Sequence, residues 1–149
     1  MSDNDSDSPS WSIKDVLQWA TADFKKRGIE SARLEAEILL TETLHVDRVR
    51  LVVDSQRPLG SDELTQYKNL IQRRRRGEPL AYILGRREFY GREFKVDRRV
   101  LIPRPDTEVL VDVALRRTRA RRLFARALDL CTGSGCVAIS LARSRPTWQ

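Results

Sequence analysis

Between Ala127 and Ala142 the chain reads ALDLCTGSGCVAISLA. A short apolar run, ALDLC, leads into the turn TGSG and then into the apolar helix start CVAISLARS. Gly133 and Gly135 leave the backbone open to an approaching ligand and tolerate dihedrals that other residues avoid. The first N–H groups of the following helix have no intrahelical partners and suit an anionic or polar group. Thr132 and Ser134 add hydroxyls, and Asp129 ends the expected strand Ala127–Cys131. There it either approaches a ligand or accepts hydrogen bonds from the turn. Strand, glycine turn and helix form the first half of a βαβ unit. No lysine follows in the G-x-x-x-x-G-K-[ST] pattern, which argues against ATP or GTP phosphate chemistry. A full G-x-G-x-x-G is also missing, and the acidic residue that grips a ribose belongs about 20 residues further on, at or beyond Gln149. Taken alone, the loop suits a nucleotide-type cofactor and a structural turn equally.

A second block lies upstream. Gly77 to Glu108 reads GEPLAYILGRREFYGREFKVDRRVLIPRPDTE. Two short β-prone runs flank Gly91 and predict a hairpin. Pro103 and Pro105 bracket Arg104 and are expected to hold LIPRPDTE extended. Asp106, Thr107 and Glu108 stand where a helix begins, with Asp106 and Thr107 as candidate caps.

The pairing of this block with LDLCTGSG resembles the HemK/PrmC family of glutamine N5-methyltransferases, from about Trp11 to the last residue. The resemblance implies a Rossmann-like domain that uses S-adenosylmethionine, and methyl transfer to the glutamine of the Gly-Gly-Gln motif in class-1 peptide chain release factors. It implies that Asp129, Cys131, Thr132, Gly133, Ser134 and Gly135 bind the cofactor, and that Arg104, Thr107 and Glu108 border the active site. The helical N-terminal region resembles the family's substrate-recognition domain. Cys131 departs from the pattern, since many members carry glycine there; cofactor binding then requires that this position not need positive φ.

The family's Asn-Pro-Pro-Tyr motif does not occur in these residues, so no catalytic residue is assigned. The chain is expected to be an N-terminal piece of such an enzyme, inactive by itself. Three alternatives stay open: the sister branch that methylates a ribosomal-protein glutamine, which DLCTGSGC also resembles; a non-catalytic module that binds a release factor or the ribosome; and a basic RNA-associated protein with a fortuitous loop.

The elements that position these residues follow from periodicity. Residues 1–10, MSDNDSDSPS, are acidic and serine-rich and read as a disordered tail without the features of a secretory signal. Residues 11–78 read as a helical bundle. Ser12 and Asp15 form a capping box before Ile13, Val16, Leu17, Ala20 and Phe24. Ser31 is expected to cap a second helix, Asp47 to Val53 forms a short third element, and Ser61 opens a fourth that ends in Arg73–Arg76. Trp11, Trp19, Phe24 and Tyr67 suit a core or bundle surface better than a stacking platform. Residues 79–105 form the hairpin and linker, and 106–149 the first part of an incomplete Rossmann-like α/β domain. Val137, Ile139 and Leu141 are expected to lack partners.

Composition sets the outer limits. The 149 residues are 40% hydrophobic and 33% charged, enough for one ordinary domain or two small ones. No run of roughly eighteen apolar residues occurs, so no membrane span is expected. Cys131 and Cys136 have no histidine nearby, which points away from a disulfide or metal site and towards a reduced, cytoplasmic protein. The net charge of +7 is concentrated in Arg73–Arg76 and in RRTRARRLFAR, Arg116 to Arg126. Each run is either a surface for an acidic partner, such as RNA or the ribosome, or a solvated helix end.

Overall fold

A computed structural model describes residues 11–119 and 125–149. The acidic tail and part of the second arginine run lie outside the described residues. The chain divides into two compact units, the first ending at Leu84 and the second beginning at Gly85.

The first unit is helical. Helix α1 (Ile13–Lys26) starts at the expected capping box: Ser12 Oγ accepts from Asp15 N at 3.2 Å, and Asp15 Oδ2 accepts from Ser12 N at 3.1 Å. Its buried face is Ile13, Val16, Ala20 and Phe24, the helical spacing read in the sequence. Gly28, at φ +74°, closes it, with Gly28 N donating to Lys25 O and Ile29 N to Phe24 O. Helix α2 (Ala32–Leu44) begins after Ser31, but the Ser31 side chain makes no capping bond. Helix α3 (Arg48–Val53) is capped by Asp47, whose Oδ1 accepts from Arg50 N at 2.8 Å. Only Leu51 of α3 is buried; Val49, Val52 and Val53 face outward.

Helix α4 (Ser61–Arg75) buries Tyr67 and Ile71. The Tyr67 hydroxyl donates to Ala36 O of α2 at 3.1 Å, so the largest buried side chain also satisfies its polar end. Burial pushes the Tyr67 pKa far above its ordinary value. A fifth helix, α5 (Leu80–Leu84), follows Pro79 and adds Ile83 to the same core as Phe24, Leu39, Leu40 and Tyr67. Each large apolar side chain buried here contributes about 1.5–3 kcal/mol against leaving it in water.

The run Arg73–Arg76 is neither an open basic surface nor simply a solvated helix end. Arg73 forks onto Glu78 at 2.8 and 2.9 Å and also donates to the carbonyls of Tyr82 and Ile83. Arg74 pairs with Glu35 of α2. Arg75 forks onto Asp23 of α1 at 2.8 and 2.6 Å and lies over the Trp19 ring. Bidentate pairs of this kind fix geometry as well as charge. Only Arg76, the C-cap, is exposed.

In the second unit, strands β1 (Arg86–Phe89) and β2 (Arg92–Lys95) form the expected hairpin, with Phe89 opposite Arg92 and Arg86 opposite Lys95. Its two turn residues, Tyr90 and Gly91, have φ of +52° and +67°. Positive φ at both is the type I′ pattern, which matches the twist of the strands. Helix α6 (Asp106–Arg117) buries Val111, and helix α7 (Cys136–Ser144) buries Cys136 and Ser140. Phe89, Phe94, Val111 and Cys136 make the core, with Val137 and Leu141 packed against it. Those two apolar residues therefore find partners in the hairpin and α6, contrary to expectation, whereas Ile139 is exposed. The start of α6 also differs from the sequence reading. Pro105 already has helical dihedrals at the N-cap, and no side chain caps the helix. Proline's fixed φ lets it begin the helix without a capping hydroxyl or carboxylate.

Arg75 holds the Asp23 carboxyl below its usual pKa, chiefly by hydrogen bonding. A depressed carboxylate pKa gives stability that is present above the unfolded pKa and lost as pH falls through the folded one. The helical unit is therefore expected to lose stability below about pH 4. Asp23→Asn is expected to cost about 1 kcal/mol at neutral pH and to flatten that acid loss. Urea titrations followed by far-ultraviolet circular dichroism at neutral and acid pH check both.

Candidate functional site

The glycine loop is built on alternating left-handed residues. Cys131, Gly133 and Gly135 have φ of +60°, +56° and +76°. Between them, Gly135 N donates to Thr132 O at 2.8 Å. Asp129 closes the loop from its N-terminal side: Oδ2 accepts from Thr132 Oγ1 at 2.9 Å and from Ala138 N, in the first turn of α7, at 3.2 Å. One carboxylate thus ties the approach segment, the loop and the helix start together. A negative charge there also suits the helix dipole.

Two sequence expectations are corrected here. Cys131 takes the positive φ that the sequence reading assigned only to glycine, because the chain reverses direction at that residue. The condition that this position avoid positive φ is not met, but left-handed φ is open to a non-glycine residue at a cost of about 1–2 kcal/mol, so the loop keeps its form with cysteine in place. Ala127–Cys131 also forms no strand among the described residues, and Leu128 and Leu130 are exposed. A strand is defined by its pairing, and only its first part is paired. Gln149 N donates to Ala125 O at 3.0 Å, and Ala127 N donates to Gln149 O at 2.8 Å. These reciprocal bonds around residue 126 have the pattern of one rung of a parallel ladder.

The loop offers polar groups to a ligand. A Cβ placed on Gly133 would meet nothing closer than Cys131 O at 3.9 Å, so its outer side is open. Ser134 Oγ is shielded from solvent and has no hydrogen-bond partner. An orphaned hydroxyl beside a helix N-terminus fits a small polar or anionic group. Gly135 is closed by contrast, since a Cβ there would lie 3.3 Å from Ile139 Cδ1. Cys131 is exposed, Cys136 is buried, and both are free thiols.

The upstream residues occupy different positions. Glu108 Oε1 accepts from Tyr90 N at 2.8 Å, holding the hairpin turn to α6. Asp112 Oδ1 accepts from the Tyr90 hydroxyl at 2.7 Å and raises that hydroxyl's pKa. Thr107 N donates to Arg104 O, and Arg104 is exposed. No hydrogen bond joins residues 104–108 to residues 129–135 among the described residues. Sequence reasoning missed Tyr90 and Asp112; the only signal was the Tyr-Gly pair at the hairpin tip.

In the helical unit a cavity of about 900 Å³ opens between α1, α2 and α3. Val49, Val52 and Val53 line it together with Lys14, Lys25, Arg33 and Arg48. Glu37, nearly buried, accepts from Arg33 at 2.8 Å and from Arg48 at 3.0 and 2.6 Å, fixing two of those cations in place. Among the described residues no group of three or more His, Cys, Asp or Glu side chains is arranged to hold a metal ion, and no helix is long and apolar enough to cross a membrane.

Helical bundle, type I′ hairpin and glycine loop follow one another in this order, and comparison with known proteins relates the chain to particular relatives. Residues 15–85 match the PrmC N-terminal domain. The chain is 47% identical to the release factor glutamine methyltransferase of Geobacter sulfurreducens over 136 residues, 91% of this chain and 47% of the relative. It is 38% identical to that of Rhodopirellula baltica over 152 residues, 100% of this chain and 51% of the relative. With the enzyme of Leptospira interrogans the identity is 43% over 137 residues, 92% of this chain and 48% of the relative. The chain spans about half the length of these curated relatives.

Left-handed φ costs a non-glycine residue about 1–2 kcal/mol. Cys131→Gly is expected to stabilise the loop by about 0.5 kcal/mol after the extra chain entropy of glycine is counted. Cys131→Val, β-branched at the same φ, is expected to destabilise it by about 2 kcal/mol. Amide hydrogen exchange along Cys136–Ser144 reads both changes.

Proposed function

We propose that the chain is the N-terminal part of a methyltransferase that transfers a methyl group from S-adenosylmethionine to the side-chain nitrogen of a glutamine in a peptide chain release factor. The observation that carries this reading is the similarity to release factor glutamine methyltransferases across nine-tenths of the chain or more. On this reading residues 11–78 recognise the substrate, 79–105 form a hairpin linker, and 106–149 begin the cofactor-binding domain. Release factors act in translation, which supports a cytoplasmic location for the protein.

The loop supports a Rossmann-like start. The segment around residue 126, the glycine turn, α7 and Gln149 follow the order of a βαβ unit, and the reciprocal bonds between Gln149 and residues 125 and 127 suit parallel neighbours. Thr132, Gly133, Ser134 and the first turn of α7 would hold polar parts of the cofactor, with Ser134 Oγ the donor still unengaged. Asp129 keeps that loop in shape; its Oδ2 is already shared between Thr132 and Ala138. Cys131 contributes backbone conformation to the loop. When bound, S-adenosylmethionine supplies a methyl group activated by the sulfonium centre.

A glutamine amide nitrogen is a poor nucleophile, because its lone pair is delocalised. Transfer therefore requires the nitrogen to be held in line with the methyl group and its N–H groups to be hydrogen-bonded as charge develops. In the family the Asn-Pro-Pro-Tyr motif does this, and these residues do not include it. The 149 residues alone are thus read as a binding unit without turnover. The outward valines of α3 among lysines and arginines support a docking role for the helical unit.

Two measurements test this. The chain, incubated with labelled S-adenosylmethionine and a class-1 release factor, is expected to transfer no label. Added in excess to a full-length relative, it is expected to slow methylation by competing for the release factor. Label transfer by these residues alone would falsify the inactive reading, and an unchanged rate in the competition would remove the release factor as partner.

A further inference from the structure

A second cavity, of about 600 Å³, lies in the second unit and is lined by Tyr90, Asp112, Leu115, Arg116, Arg119 and Arg145. Three guanidinium groups face one carboxylate, so the pocket carries an excess of positive charge. Asp112 is already engaged by the Tyr90 hydroxyl at 2.7 Å. Arg116 lies in the last turn of α6 and Arg119 just beyond its C-cap Thr118, where cations are favoured. Both are exposed, and among the described residues the one side-chain hydrogen bond of either is a long one of 3.4 Å from Arg116 Nε to Asp112 O.

Arg145 is fixed in the pocket wall. Its terminal nitrogens donate to Ser144 O at 3.1 Å and Leu115 O at 3.2 Å, and its guanidinium lies 5.9 Å from the centre of the Trp148 ring. Its Nε is shielded from water and has no hydrogen-bond partner. A buried charged donor left unpaired is costly, and a ligand oxygen would relieve it. One carboxylate is served by one bidentate arginine, whereas three arginines lining one cavity offer donors for the several oxygens of a phosphate. The chain's net charge of +7 favours a polyanion over an isolated small ion.

We propose that the pocket bounded by Arg116, Arg119 and Arg145 binds phosphate groups of an RNA backbone, a site separate from the glycine loop and independent of the methyl-transfer reading. The contact is to phosphate rather than to bases. It therefore carries little sequence preference, and its affinity falls steeply with salt.

The test is fluorescence anisotropy of a labelled decauridylate titrated with the 149-residue chain at several salt concentrations. Arg116→Gln and Arg119→Gln are each expected to weaken binding about fivefold and to lower the slope of log affinity against log salt by about 0.7. Arg116→Lys and Arg119→Lys keep the charge and are expected to retain the slope, which separates loss of contact from loss of fold. Arg76→Gln, an exposed arginine of the helical unit, is expected to change nothing. The proposal fails if the pocket variants bind like the parent or if Arg76→Gln weakens binding equally. Equal displacement of the RNA by inorganic phosphate, or by polyaspartate of matched charge, overturns the assignment to an RNA backbone.

Discussion

The second unit depends on a loop that no isolated peptide would hold. Three of the five residues from Cys131 to Gly135 lie in the left-handed region, which costs about 1–2 kcal/mol for the cysteine and extra chain entropy for each glycine. Asp129 offsets this by accepting from Thr132 Oγ1 before the turn is complete and from Ala138 N after it. Once those bonds are made, the direction of α7 is set. Cys136 then enters the core beside Phe89, Phe94 and Val111, while Ser140 is buried further along the same helix. A sequence-local hydrogen bond therefore decides where a tertiary core closes. The loop's ability to receive a ligand follows from the same geometry, because the residues that turn the chain are also those that leave backbone uncovered.

The two arginine-rich runs had equal standing as sequence, and structure separates them. In α4 the run meets acids brought close by the fold: Asp23 from α1, Glu35 from α2 and Glu78 from the segment after the helix. Charge there is consumed in joining helices. At the end of α6 the carboxylate that lines the cavity, Asp112, accepts from Tyr90, and Arg116, Arg119 and Arg145 line the same cavity. Net charge could not distinguish these cases, since Asp23 and Glu35 are distant in sequence from the arginines they pair with, and Tyr90 is distant from the Asp112 it occupies.

Legibility followed the range of the interaction. The capping box of α1, its buried stripe and the hairpin around Gly91 all rest on residues a few positions apart, and each was readable. Ser31 was misjudged because the residue type allowed a cap without requiring one, and the backbone there is not in the extended conformation a side-chain cap uses. Helix α5 was hidden by Pro79, which reads as a stop although proline also begins helices well. Of the candidate site, the loop's glycines and Asp129 were visible as a pattern. The positive φ of Cys131 was not, because its residue type gives no hint of it.

The same reasoning bears on what LIPRPDTE contributes. Its most chemical-looking residue, Glu108, is in the first turn of α6, where the helix dipole favours a carboxylate, and it accepts a backbone N–H from the left-handed turn residue Tyr90. Tyr90 in turn reaches Asp112, one helical turn further along α6. Two acids on one face of α6 thus hold one hairpin tip, with Phe89 and Val111 buried in the same core. A motif that signals a methyltransferase family in the sequence therefore acts locally through architecture: it fixes the hairpin on the helix that leads towards the glycine loop.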